Sequence, residues 1–363
     1  MLDPLSPPVH RVALVVIARN EAARIERLLR SVAPWVDEMV GRDTGSTDET
    51  ARLAREAGAR VGHFNWCDDF AAARNAALDL AGADWHLVLD ADEWLVEGGP
   101  FLKELKGLRP DFVGTVRLEN HSGPEGSVRT VDRLTRLLPG PVRYEGTVHE
   151  QPAHALPGRA TPLHVEHDGY LPAALVAKHG RNRRLLREAV AVSPEDPYLW
   201  YQLGKDASVY DEYAQAEEAF AQARLRMTGQ EPWLTDLVVR RLHGLTRLGQ
   251  HEQGLDLALA EEPGCGGSPD FHFACGGLFL DWTGRAPEQA VALLESAEES
   301  WRRCLAIGER PDIPGAVLGR GGVLAAFNLA LVCEGTGRPG EAQALRARYG
   351  LGRPTPATLG TSR

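Results

Sequence analysis

Apolar positions in the first ninety residues alternate between two spacings. Arg11–Ile17 is a β-branched run, and Ile25, Leu28, Leu29 and Val32 then recur at helical intervals after the polar segment Ala18-Arg19-Asn20-Glu21. The pattern returns with Glu38–Val40 as a short strand, the loop Asp43-Thr44-Gly45-Ser46, and a helix opened by Ser46-Thr47-Asp48-Glu49 at capping-box spacing and stopped by Gly58. It returns again with a strand Arg60–Phe64 and an Ala-rich helix, capped by Asp68 or Asp69, that runs to about Leu80 before Gly82. Trp85–Leu89 is the next buried strand. Such β–α succession predicts a parallel sheet with helices on both faces, whose ligands lie beyond the carboxyl ends of the strands.

From Asp111 to about Val148 the texture changes to alternating segments, Val113–Leu118 and Val128–Leu138, expected as antiparallel additions to the sheet. Beyond Tyr170 the pattern is helical. A helix is expected through Arg181–Val192, its four arginines forming a solvated face. Trp200, Leu203, Gly204, Ala216, Phe220 and Ala223 then fall on the tetratricopeptide spacing, in which small residues let paired helices approach and large ones fill the groove. Leu242–Ala260 repeats it more loosely and Phe271–Ala297 more loosely still, Phe327–Ala330 with Gly337 and Ala342 restores it, and Gly264–Pro269 is expected as a flexible interruption. The domains expected are a disordered N-terminus over 1–10, an α/β domain over 11–172, a helical repeat domain over 173–350 and a disordered tail over 351–363.

Composition narrows the function. A chain of 363 residues with 43% hydrophobic content supports about two domains with real cores. The formal charge of -10 argues against a general nucleic-acid binder, which needs a surplus of Lys and Arg. No apolar run reaches membrane-span length, and the first ten residues do not resemble a signal peptide, so the expected location is the cytoplasm. The five cysteines are scattered and never in Cys-x-x-Cys spacing, which predicts buried free thiols rather than disulfides or a zinc site.

The chemistry gathers at strand ends. Trp85–Leu89 runs straight into Asp90-Ala91-Asp92-Glu93, where two carboxylates can face one point and suit a hard cation that keeps open positions for phosphate and water. Acids here would otherwise repel a nucleotide's phosphates, so Glu21 and Asp43 are expected to meet base or ribose. No Gly-x-Gly-x-x-Gly follows the first strand, which argues against a dinucleotide fold. Two further concentrations of titratable groups are Tyr144–Glu150, expected as a strand ending in His149-Glu150, and His164–Tyr170.

Ala18-Arg19-Asn20-Glu21, Asp43–Asp48, Asp69–Asn75, Leu89–Glu93, Gly146–Glu150 and His167–Tyr170, in this order and spacing, resemble a family 2 glycosyltransferase of the GT-A fold. The resemblance is to the branch whose members often carry C-terminal tetratricopeptide repeats and include peptide glycosyltransferases of bacteriocin pathways. It implies a mixed α/β sheet domain followed by an all-α repeat domain. It further implies that Ala18, Asn20, Glu21, Asp43, Arg74, Asp90 and Ala91 bind the nucleotide sugar, with Asp43 on the base, Arg74 toward the diphosphate and Asp90 on the ribose. Asp92 and His167 would hold Mn²⁺ or Mg²⁺, and Glu150 would activate the acceptor as base. The reaction implied is metal-dependent inverting transfer from a nucleoside-diphosphate sugar, with a UDP-sugar expected, to a peptide, protein or glycan, the repeats holding the acceptor or pairing two copies of the chain. An interaction scaffold whose transferase half has lost activity is the alternative, and the retention of Asp90, Asp92, Glu150 and His167 speaks against it. One departure from the family pattern is Gly41-Arg42, which breaks the apolar run before Asp43 and is expected to shift it.

Overall fold

A computed structural model describes residues 9–123, 126–170 and 180–352. The expectations for residues 1–8, for Leu171-Pro172 and for the tail from 353 lie outside these. The chain divides into two compact units, Met1–Val192 and Ser193–Arg363. The helix Arg181–Val192, assigned from sequence to the helical half, therefore belongs to the first unit. The reason is local: Arg184 pairs with Asp68 at 2.9 Å, and the Arg181 guanidinium lies 5.3 Å from the Phe70 ring centre.

In the first unit, strands β1 (Val12–Ala18), β2 (Glu38–Asp43), β3 (Arg60–His63) and β4 (Trp85–Val88) alternate with helices α1 (Ile25–Val32), α2 (Thr50–Glu56) and α3 (Phe70–Ala81). Then come β5 (Glu93–Glu97), α4 (Gly99–Glu104), β6 (Val113–Ser122), β7 (Val128–Pro139), β8 (Arg143–Glu145), β9 (Gln151–Ala153), β10 (Gly158–Tyr170) and α5 (Arg181–Val192). The main sheet has the order β3-β2-β1-β4-β7-β6-β10-β5, and β8 and β9 form a separate hairpin. The first four strands are parallel, and β7 joins β4 antiparallel as the alternation of 128–138 predicts. Period-two alternation divides β1 between the two faces. Val12, Leu14 and Val16 pack with Ile25, Leu28 and Leu29 of α1, while Ala13 and Val15 pack with Ala77, Leu78 and Ala81 of α3.

Four local readings change. The second strand continues through Gly41 and Arg42 to Asp43, which pairs in register with Ala18. Arg42 fits because its guanidinium donates to the carbonyls of Ala76 and His63, so the sheet is not interrupted before Asp43. The capping box does not form. Ser46 and Thr47 bind back to the first loop, the Ser46 hydroxyl accepting from the Asn20 amide at 3.0 Å and the Asn20 side-chain carbonyl accepting from the Thr47 amide at 2.8 Å, so α2 starts only at Thr50. His149-Glu150 does not close a strand: β8 ends at Glu145, and Gly146 (φ 93°) and His149 (φ 51°) turn the chain back toward β9. Finally β5, unforeseen, lines the edge of the sheet against β10.

The second unit is all helix apart from short connections and one two-residue extended segment: α6 (Pro197–Val209), α7 (Tyr213–Arg226), α8 (Leu234–Leu248), α9 (His251–Cys265), α10 (Pro269–Thr283), α11 (Ala290–Ile307), α12 (Val323–Gly335) and α13 (Pro339–Tyr349). Gly204 shows why the repeat spacing matters, since a Cβ there would stand 2.5 Å from the Phe220 ring. The expected flexible loop at Gly264–Pro269 is instead a tight turn. Helix α9 runs to Cys265, and Ser268 caps α10 by accepting from the Asp270 amide at 3.2 Å with Pro269 in the first turn. Four cysteines are buried and free, but Cys67 is exposed. Among the described residues no helix is long and apolar enough to cross a membrane.

Candidate active site

Helix α3 organises the site. Asp69 caps it, accepting from the Ala72 amide at 2.8 Å, and Asn75 grips β8 through both backbone groups of Tyr144, donating to its carbonyl at 2.9 Å and accepting from its amide at 2.8 Å. The Phe70 amide donates to the Thr147 carbonyl at 2.9 Å, so the turn that carries Glu150 is laced to the start of the helix. Arg74, between these anchors, is buried rather than on a solvated face. Its Nη2 donates to Asp90 Oδ1 at 2.7 Å, and its Nε donates to Glu150 Oε1.

A second arginine, missed in the sequence, completes the network. Arg136 Nη2 donates to Asp90 Oδ2 at 2.8 Å and to Glu93 Oε1 at 2.7 Å. In β7, Leu137 pairs with Gly114 and Thr135 with Thr115, so Arg136 is the extra residue of a bulge. A bulge breaks the inward–outward parity on which sequence patterns depend. The only signal was a charged residue beside the apolar Leu137-Leu138.

The electrostatics follow from burial against pairing. Burial would push the Asp90 carboxyl up, but Arg74 and Arg136 outweigh it and hold it well below the usual carboxylate range. Burial pushes Glu93 up, with Arg136 opposing and Asp90 adding to the rise. Both guanidiniums remain charged despite burial because these acids surround them. Burial also raises the Tyr144 hydroxyl, and the Arg74 guanidinium lies 5.4 Å from the centre of the Tyr144 ring. Three buried polar atoms here, Arg74 Nη1, Arg136 Nε and the Tyr144 hydroxyl, have no hydrogen-bond partner among the described residues.

Asp92 lies beside this cluster and turns elsewhere. Its Oδ2 is 3.4 Å from His167 Nε2, and its carbonyl accepts from the Asp168 amide at 3.3 Å, which ties the strand-end turn to β10. Asp168 itself is held by Arg24 at 2.9 Å and Arg27 at 2.7 Å, with Arg27 stacked 3.6 Å over Trp94. Ala91 is buried between the two aspartates. Asp43, at the end of β2, accepts from the Ser46 amide at 3.2 Å. Glu21 accepts from Arg24 at 3.1 Å, and its amide donates to the Thr50 hydroxyl at 2.7 Å. Thus Ala18, Asn20, Glu21 and Asp43 form one knitted pair of loops at the carboxyl ends of β1 and β2. The structure brings Arg74, Asp90, Glu93, Arg136 and Glu150 into one contact network, and Asp92 and His167 into a second. Among the described residues no group of three or more His, Cys, Asp or Glu is arranged to hold a metal.

Residues 13–149 match the model of Glycosyl transferase family 2. This stretch is a family 2 glycosyltransferase domain. The chain is 35% identical over 215 residues to a TPR repeat-containing protein of Synechococcus elongatus, covering 55% of this chain and 53% of that protein. It is 29% identical over 220 residues to the SPbeta prophage-derived glycosyltransferase SunS of Bacillus subtilis, covering 55% of this chain and 50% of the relative. The chain thus spans about half the length of these curated relatives. Among solved structures, the crystal structure of MamA overlays 49% of this chain and 87% of its own, at 12% identity and a TM-score of 0.37, a score that says nothing of what this chain binds. The family domain and its glycosyltransferase-named relatives agree with the mixed sheet, and the relative named for its TPR repeats agrees with the paired helices of the second unit.

Proposed function

We propose that the chain is a metal-dependent, inverting glycosyltransferase that moves a sugar from a nucleoside diphosphate, with UDP as the expected carrier, to a peptide, protein or glycan acceptor in the cytoplasm. The observation that carries this reading is the division of labour among the strand-end acids. Asp90, Glu93 and Glu150 are taken up by Arg74 and Arg136, while Asp92 turns to His167 across 3.4 Å. A carboxylate and an imidazole suit Mn²⁺ or Mg²⁺ in a site that leaves positions for phosphate and water. When bound there, the ion would neutralise charge on the departing diphosphate as a Lewis acid.

The remaining work falls to the chain's own residues. The unpartnered donors of Arg74, Arg136 and Tyr144 supply hydrogen bonds to an anionic substrate, and a buried donor without a partner gains the most from such a ligand. Asp43 and the Ala18–Glu21 loop take the base and ribose. Glu150 gives Oε1 to Arg74, which leaves Oε2 to take the acceptor's proton as the nucleophile attacks the anomeric carbon opposite the nucleotide. The paired helices of the second unit hold the acceptor or a second copy of the chain.

Calorimetry with UDP, GDP and dTDP, each with and without Mn²⁺, tests the proposal. Binding of one nucleoside diphosphate that tightens with Mn²⁺ and weakens in Asp92→Asn supports it. Equal binding in chelator-treated protein removes the metal from the mechanism.

A further inference from the structure

The imidazole of His167 is held from behind. Its Nδ1 lies 2.8 Å from Asn120 Oδ1, and Asn120 Nδ2 lies 3.1 Å from Asp132 Oδ2. Asn120 is buried on β6, paired in register with His167 of β10 and with Thr130 of β7, the strand that also carries Asp132. His167 is also in register with Glu93 of β5, so the ring is fixed between neighbours on both sides.

The order of donors along this chain follows from chemistry. A carboxylate only accepts, so the amide nitrogen of Asn120 must face Asp132 and its carbonyl must face the imidazole. A carbonyl also only accepts, so the imidazole nitrogen facing it must carry the hydrogen. In the neutral ring the lone pair is then on Nε2, the nitrogen 3.4 Å from Asp92 Oδ2. A lone pair on Nε2 beside the Asp92 carboxylate gives a nitrogen and an oxygen donor on the same side of the ring, the pair that a divalent cation takes. We infer that Asn120 is a positioning residue: oriented by Asp132, it holds the proton of His167 on Nδ1 and so presents Nε2 as a ligand together with Asp92. This rests on the metal-binding reading above, to which it adds two residues outside the 167–170 segment. Nothing in the sequence spacing of Asn120 and Asp132 marked them, because they meet His167 only through the parallel and antiparallel pairings of β6.

The inference can be tested apart from turnover. In the metal-free full chain, long-range ¹H–¹⁵N correlation, with His167 assigned by loss of its signals in His167→Gln, reads which ring nitrogen bears the proton. The wild type should show it on Nδ1, and Asn120→Leu should move it toward Nε2. Mn²⁺ affinity, read from the free-ion electron paramagnetic resonance signal in the presence of UDP, should fall about 10–100-fold in Asn120→Leu. Asn120→Asp alone sets two carboxylates against each other and should also weaken binding, whereas Asn120→Asp combined with Asp132→Asn restores donor and acceptor in reversed order and should recover most of it. A merely structural role would not be rescued by that exchange. A proton on Nε2 in the wild type overturns the inference, as does wild-type Mn²⁺ affinity in Asn120→Leu with an unchanged circular dichroism spectrum, or a double exchange no better than the single. If the wild type binds no Mn²⁺ at all, the metal-binding reading fails, while the position of the His167 proton still decides the relay.

Discussion

Both units of the molecule bury arginine–carboxylate pairs, and they use them differently. In the helical unit the acids tie neighbouring elements together: Asp236, paired with Arg240 of its own helix at 2.6 Å, accepts from Tyr201 of α6 at 2.6 Å, Glu261 of α9 accepts from Arg224 of α7 at 2.6 Å, and Asp270 accepts from Arg320 at 2.9 Å. The buried polar atoms there that lack a hydrogen bond among the described residues, Arg226 Nε, 3.7 Å from Glu195 Oε2, and Trp301 Nε1, lie on separate helices. In the sheet unit three such atoms, from Arg74, Arg136 and Tyr144, belong to one cluster. A scattered orphan is a local imperfection of packing, while convergent orphans beyond the ends of parallel strands describe a place for a ligand.

The largest effect is expected where this cluster meets the proposed chemistry. Glu150→Gln keeps the size of the side chain and its acceptor for Arg74 but removes the basic oxygen. With an alcohol acceptor kcat should fall about 10²–10⁴-fold while UDP binding survives, and a fall of less than about tenfold would remove Glu150 as base. A thiol acceptor ionises more readily and should show a smaller loss.

Next comes stability. Arg74→Met leaves the buried Glu150 without its cation and Asp90, partly exposed, with Arg136 alone, and breaking a buried pair by deleting one partner costs about 3–5 kcal/mol. Urea unfolding should show that loss, and triple replacement of Arg74, Asp90 and Glu150 by Met, Asn and Gln should recover part of it. If Arg74→Met alone is neutral, the cluster is not a charge-paired unit and the contrast with the helical half is lost.

His86 sharpens the comparison from the other side, because it holds a buried orphan that belongs to no cluster. Its Nε2 accepts from the Ala83 amide at 3.2 Å and its Nδ1 has no hydrogen-bond partner among the described residues. Burial, aided by the charge of Arg143, pushes its pKa from the usual 6.5 down to about 4. Between those values the unfolded chain holds a proton that the native chain lacks, so stability falls as pH drops through this window and this contribution stops changing below it. The shift corresponds to about 3 kcal/mol. Urea midpoints at pH 7 and pH 4.5 should separate more in wild type than in His86→Gln, whose amide can still accept from Ala83 but does not titrate. Equal separation would mean that His86 is not kept neutral.

What could be read from the sequence follows the range of the interactions. Strand β1, helix α1 and the Asp69 cap are set by spacing within a few residues, and they stand where the periodicity placed them. The Asp90–Asp92 pair was visible because it ends an apolar strand. The readings that changed depend on distant partners: Ser46 and Thr47 bind Asn20 rather than capping a helix, Arg42 is absorbed by Ala76 and His63, and Arg136 reaches Asp90 only through a bulge. Asn120 is the extreme case, since nothing within ten residues on either side along the chain announces its contact with His167, 47 positions away.

The smallest effect concerns the same guanidinium–carboxylate chemistry in water. Arg30 donates to Glu26 at 2.9 Å across one turn of α1, with side chains 74% and 39% exposed. Solvent screens this pair, and holding two long side chains together costs entropy, so pairs of this kind contribute about 0.3–0.5 kcal/mol. Arg30→Ala should therefore shift the urea midpoint barely beyond error, and 1 M salt should erase the shift, since the screening length there is about 3 Å. Arg74→Met should keep most of its cost in the same salt. If both substitutions responded alike to salt, burial would not be what separates the two pairs, and the unpartnered atoms around Arg74 would lose their meaning as a mark of the site.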